Sequence, residues 1–234
     1  MANLLAIDTS SAWCSVALSL GDQAAEHRHE AVSAGASQLL LPWIEALLSN
    51  ANIALKDLDA IAVGIGPGAF TGVRLGVAAV QGLAISNNLP VISVTSLDAI
   101  AAQLVATSAF KDINPKEFVI AIDARMEEVY WAKYESQPNQ LPKRIGDIRL
   151  TKPEDIELKG IGFLAGSAIN AYVDRLPKFN GAVDSQIAIS SLGILACAKQ
   201  LLAEGKQQDV RQLEPLYVRN KVALTTAERE EAFK

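Results

Sequence analysis

Ala6-Ile7-Asp8 and Ala121-Ile122-Asp123 each close an apolar run and lead into a turn, and this recurrence constrains the fold more than any other feature of the chain. An alternating run follows each copy: "SVALSL" (15–20) after the first, "VYWAKY" (129–134) after the second. Period-two alternation marks half-buried strands. Around the first copy the pattern predicts strands at 3–8, 14–20 and 23–30, then a helix at 37–50 and a strand at 58–65. A helix at 71–86, a strand at 90–94 and a helix at 96–108 complete that half. The second half is sparser, with strands within 118–135, near 145–150 and at 160–166, and helices near 167–175 and 188–204. Duplication of a β-β-β-α-β-α unit predicts an α/β protein of two lobes, each a mixed sheet flanked by helices. "DINPKE" (112–117), with its proline and charges, marks the junction, so the lobes are expected at 1–110 and 111–234. Whether helix 188–204 returns to the first lobe stays open at this stage.

Half of the 234 residues are apolar, enough to fill two cores. No run of eighteen uninterrupted apolar residues suggests a membrane span. "MANLLAIDTSS" lacks the basic and long apolar regions of a secretory signal, so a cytoplasmic location is expected. Cys14 and Cys197 show no pair spacing and read as reduced thiols. The net charge is −5, and the basic residues gather no more densely than Lys143-Arg144 and the spread Arg211, Arg219 and Lys221. A protein that grips RNA alone concentrates Lys and Arg to displace counterions. Any RNA this chain serves is therefore expected to be held by something else.

Asp8 leaves the first strand followed by Thr9 and Ser10, and Asp123 leaves the matching strand of the second lobe. Carboxylates facing one cleft could organise a metal–phosphate complex, which makes these four residues candidates for a nucleotide cleft. Short polar side chains also cap turns by bonding local backbone, and both readings stand at this point. "GIGPGAF" (64–70) follows a strand as a dinucleotide loop would, but no acid occurs between Asp59 and Asp98 to hold a ribose. The Walker pattern fails as well, for want of a lysine after the glycines. His27 and His29 share a strand face with no third histidine in the chain, so an exposed strand is expected there and no metal site. "PLYVR" (215–219) is distinctive without evident chemistry, and "TTAEREEAFK" (225–234) reads as a frayed helix.

The helix after the glycine loop is apolar almost all round, a sign that it is covered on more than one side. Gly72, Gly76, Ala79 and Leu83 fall on one face within roughly 80° of arc. Each interior glycine costs a helix about 1 kcal/mol relative to alanine, which persists where close approach offsets it. Residues 37–50 spread Leu39, Leu40, Leu41, Trp43, Ile44, Ala46, Leu47 and Leu48 over an apolar arc of about 220°, wider than a surface helix needs. The two helices could cover each other and a third element of the same chain. The pattern favours contact with another chain, so Gly76→Leu is expected to split an oligomer while leaving each monomer folded.

"LLAIDTSSAWCSVAL", "GIGPGAFTGVRLGVAAVQGLA", "PVISVTSLDAIA", "AIDARMEEVY" and "EPLYVRNK" together resemble the TsaB (YeaZ) family, bacterial subunits of tRNA threonylcarbamoyladenosine (t6A) biosynthesis. The resemblance runs over nearly the whole chain and implies an ASKHA (actin/Hsp70-like, RNase H-like) duplicated two-lobe fold. It implies a non-catalytic scaffold that supports threonylcarbamoyl transfer to the adenosine beside the anticodon, the transfer itself belonging to the paralogue TsaD. That paralogue carries a metal-binding H-x-x-x-H where this chain has Ser96 and Ile100, so no metal is expected here, and Ser96 reads as a helix N-cap. Many family members carry a histidine where this chain has Ala36. The implied partners are a TsaD-type paralogue, a TsaE-type ATPase and a second copy of the chain, with tRNA reached only indirectly. No cofactor of its own is implied, though ADP or ATP could sit at an interface of the complex. The alternatives are a small ASKHA-fold ATPase or kinase and an M22-type peptidase.

Overall fold

The computed structural model describes residues 2–32, 35–138 and 140–219. The terminal helix expected at 225–234 lies outside them.

The first sheet is built on β1 (Leu4–Asp8), whose five residues are all buried. It pairs antiparallel with β2 (Trp13–Ser19) and parallel with β4 (Ala60–Gly64). The order is completed by β3 (Glu26–Ala31) beside β2 and β5 (Val91–Val94) beside β4. The second sheet repeats the plan around β6 (Glu117–Asp123). Its antiparallel partner is β7 (Val129–Glu135), followed by β8 (Lys143–Thr151), while β9 (Phe163–Ala165) and then β10 (Ala182–Asp184) run parallel on the other side. The orders β3-β2-β1-β4-β5 and β8-β7-β6-β9-β10 match strand for strand and sense for sense. The two Ala-Ile-Asp tripeptides thus end the central strand of each sheet.

Alternation on β1 divides the core. Leu5 and Ile7 face outward to α1 (Ala36–Asn50) and α2 (Phe70–Asn87). Leu4 and Ala6 face a core shared between the lobes, where Phe118 and Ile120 of β6 approach from the other sheet. Between the sheets lie α3 (Ser96–Leu104) and α6 (Ser191–Ala203). These two helices approach so closely that a Cβ at Gly193 would overlap the Ala99 carbonyl. Helix α6 packs on the first sheet, and Gln208 then exchanges backbone hydrogen bonds with Val91. The chain's later part therefore does return to the first lobe.

Helix α3 ends earlier than its pattern predicts. Thr107 starts a separate helix, α4 (Ser108–Ile113), by accepting from the Phe110 amide. Thr95, not Ser96, caps α3, because its Oγ1 accepts from the Asp98 amide. Asp98 in turn binds Arg144 of β8 (2.9 Å) and accepts from the Tyr134 hydroxyl (2.8 Å), tying the lobes together. The second lobe has only a 3-10 turn (Pro153–Asp155) where α1 stands in the first, and the four-residue α5 (Ala168–Ala171) where α2 stands. Both cysteines are buried and free; burial pushes Cys14 up to about 11 and Cys197 up to about 12, so both stay as inert thiols. His29, on β3, stacks on Trp13 with ring centroids 4.4 Å apart.

Candidate functional site

Asp8, Thr9 and Ser10 form one turn at the end of β1, and the glycine loop is wrapped around it. The Ala69 amide donates to the Ser10 carbonyl (2.7 Å), and Thr9 Oγ1 donates to the Gly72 carbonyl (2.7 Å). A Cβ at Gly64 would overlap Asp8 Oδ1, one at Gly68 the Ser10 carbonyl and one at Gly72 the Thr9 carbonyl. At Gly76 it would stand 2.9 Å from Thr9 Oγ1. These glycines let a helix and its loop approach the chain's own backbone closer than any side chain permits.

The consequence is burial. Asp8, Thr9 and Ser10 are 0%, 2% and 2% exposed. Ser10 Oγ meets Ser96 Oγ at 3.1 Å, so Ser96 belongs to the floor of this turn. Asp8 Oδ2 accepts from the Ser10 amide (3.2 Å), while Asp8 Oδ1 has no hydrogen-bond partner among the described residues. Burial raises the Asp8 carboxyl to about 6, against the lowering effect of its Ser10 hydrogen bonds. Asp8, Thr9 and Ser10, read as nucleotide-cleft candidates, thus lie beneath Gly68, Ala69 and Gly72 with almost no exposed surface of their own.

Asp123 makes no hydrogen bond or ion pair to that turn. Its carboxylate accepts from the Arg125 amide (2.8 Å) and the Tyr172 hydroxyl (2.8 Å) and pairs with the Arg125 guanidinium (3.1 Å). Beyond Asp123, Arg125, Met126 and Glu127 all adopt φ between 54° and 60°. Such backbone costs about 1–2 kcal/mol per non-glycine residue. Partners hold it in place: Arg219 donates to the Ala124 and Arg125 carbonyls and pairs with Glu128 (2.7 Å), and Arg175 reaches Glu127 (3.6 Å).

The interface residues expected on the two helices also need correction. Leu40, Trp43 and Leu47 are buried against the chain's own sheet, and Leu39 is half-buried there. Gly76 is buried, Gly72 lies on Thr9, and Ala79 and Leu83 are half-buried on the outer core. A leucine at 76 would meet Thr9 Oγ1 and Val63, so Gly76→Leu would disrupt the monomer instead of sparing it. Helical spacing identifies a stripe but not which side the chain's own sheet takes. The face of α2 that reaches solvent is turned by roughly 100°, about one residue. It carries Thr71, Ala78, Gly82 and Ile85, with Leu75 half-buried among them. Gly82 alone among the helix's glycines has no atom within 4 Å of where a Cβ would stand.

A groove of about 220 Å³ opens where α2 begins, between the lobes. Pro67–Phe70 form one wall, Ala124, Arg125 and Tyr130 the other, and Leu216–Arg219 run along it. The Leu216 amide donates to the Ile65 carbonyl, which fixes the "PLYVR" segment beside the glycine loop. Arg74 lies over the Phe70 ring, 3.2 Å from its centroid, and 5.1 Å from that of Tyr217. Sequence reasoning missed Phe70, Arg74 and Tyr217 as a group; the unexplained "PLYVR" motif was the available signal.

The family model described as "TsaD: tRNA N6-adenosine threonylcarbamoyltransferase" matches residues 30–212. The tRNA threonylcarbamoyladenosine biosynthesis protein TsaB of Escherichia coli (strain K12) is 36% identical over 228 residues, 94% of this chain and 96% of that protein. The protein of the same name from Haemophilus influenzae is 33% identical, covering 94% of each. The solved structure of YeaZ from Pseudomonas aeruginosa is 36% identical and superposes with a TM-score of 0.82, over 93% of this chain and all of that one.

Proposed function

This chain belongs to the TsaB family of tRNA threonylcarbamoyladenosine biosynthesis proteins, and we propose that it serves that modification as an accessory subunit without catalysis of its own. It docks a TsaD-type paralogue in the cytoplasm through the outward face of α2, and the paralogue carries out the transfer. The observation that carries this reading is Gly82. A mid-helix glycine costs about 1 kcal/mol, and among the described residues nothing outside its own helix approaches it closely enough to offset that. With Ala78 one turn earlier and the 64%-exposed Ile85 after it, Gly82 offers a low ridge on which a partner helix can lie close.

Two features favour a subunit over an enzyme. The Asp8 turn is filled by the chain's own glycine loop, and Ser96 and Ile100 are committed to internal packing. Any ADP or ATP is accordingly held where assembled subunits meet, a TsaE-type ATPase joins that assembly, and tRNA is reached through the partners. A homodimer uses the same α2 face and competes with the paralogue for it.

The experiment is Gly82→Leu, assayed by calorimetric titration with the purified TsaD-type paralogue. Affinity is expected to fall by about tenfold or more, with no loss of thermal stability, because leucine is the better helix former. Unchanged affinity would remove the docking face. Sustained ATP–Mg hydrolysis by the isolated chain would instead favour a small ASKHA-fold ATPase, and proteolysis by it the M22-type peptidase.

A further inference from the structure

We infer that the groove beside Phe70 and Tyr217 takes a second contact from the same partner: an extended segment presenting an apolar side chain and a carboxylate. This rests on the accessory-subunit reading above. The argument begins with exposure. Phe70 and Tyr217 are 54% and 52% exposed, with their rings 6.5 Å apart. Aromatic and arginine side chains grouped around a recess are the composition of an interface centre rather than of ordinary surface. The groove, at about 220 Å³, is below the 300–1,000 Å³ typical of small-molecule pockets but accommodates one or two side chains.

Charge selects the occupant. Of the three arginines here, Arg125 pairs with Asp123 and Arg219 with Glu128, whereas Arg74 has no carboxylate partner among the described residues. Its guanidinium is held over two rings, which fixes its position before any ligand arrives and lowers the ordering cost of binding. A chain of net charge −5 thus sets an uncompensated cation, already oriented, beside apolar surface. A carboxylate next to an apolar side chain complements both. The site is also continuous with the docking face, since Phe70 and Arg74 form the first turn of the helix that carries Gly82. A partner lying along α2 therefore reaches the groove without a second approach.

The test titrates the full chain with the purified TsaD-type paralogue. Phe70→Ala and Tyr217→Ala are each expected to weaken binding about tenfold or more. Arg74→Gln is expected to weaken it less and to flatten its salt dependence, while Arg74→Lys retains part of both. All four substitutions leave the core untouched, and a thermal melt checks this. Unchanged affinity in the Phe70 and Tyr217 variants, beside weakened binding by Gly82→Leu, would overturn the groove contact and leave the docking face standing. If the unaltered chain fails to bind, the accessory reading falls first and takes the groove with it. If instead the variants abolish only self-association in sedimentation, the occupant is a second copy and the inference is wrong.

Discussion

The two lobes share a strand order, yet they treat the turn after the Ala-Ile-Asp strand in opposite ways. In the first lobe, Gly64, Gly68, Gly72 and Gly76 bring a loop and an eighteen-residue helix down onto Asp8, Thr9 and Ser10 until no solvent remains. In the second lobe, α5 has four residues, and Gly166 packs its backbone against the central strand at the Ala121 carbonyl. Asp123 keeps a carboxylate that is 15% exposed, and the turn after it is held in left-handed backbone by arginines. A duplicated plan thus fixes topology but not the fate of a site. What closes over a turn is decided by the crossover segment, because close approach needs glycine at each contacting position of that segment.

The largest expected effect tests the closure itself. Gly72→Val places a branched side chain against the Thr9 carbonyl and is expected to cost about 4 kcal/mol or more, with loss of soluble folded protein. A normal urea midpoint would show that the loop is not wedged onto the turn. Asp8→Asn comes next and acts in the opposite direction. The buried carboxyl titrates near 6 instead of the ordinary 3.8, so between those pH values the folded chain binds the proton more tightly than the unfolded chain. Stability is full below pH 3.8 and is lost as pH rises through 6, by about 3 kcal/mol. Asp8→Asn is expected to remove that slope and raise stability at pH 7, as read from urea midpoints at pH 4, 5, 6 and 7. A carboxylate serving an active site would show lost t6A formation in the same variant.

Gly82→Ala is smaller, a gain of about 1 kcal/mol, because open space and helical backbone both accept the methyl group. No gain would mean that something already approaches that position in solution. Asp123→Asn is smallest in stability, under about 1 kcal/mol, since its partners sit near solvent. Its readout is the Tyr172 phenol, pushed up to about 12 by burial and then by its hydrogen bond to, and the charge of, Asp123. An ultraviolet titration should move down once the charge is gone.

The strands, the long helices and the duplication were legible because period and turn chemistry are local. The glycine helix was legible as a close-approach surface, but its orientation was not. Gly72 and Gly76 read as a surface for a foreign backbone, whereas they meet Thr9, 63 residues before Gly72 in the chain but adjacent in space through the β1–β4 pairing. Gly82 falls off the predicted stripe and is the position left open. The Phe70, Arg74 and Tyr217 group escaped because it joins a helix start to a segment far along the chain, through the Leu216–Ile65 hydrogen bond. Three successive left-handed residues at Arg125, Met126 and Glu127 carry no sequence mark, since none of them is glycine or asparagine.

The return of α6 and Gln208 to the first sheet has a consequence for synthesis. A ribosome that has released residues 1–110 has not yet made the helix that covers the inner side of β1, β4 and β5. The amino-terminal lobe must wait, partly uncovered, until the last fifth of the chain emerges. The two halves thus share a strand order but form one cooperative unit by assembly, and neither is expected to survive being expressed apart.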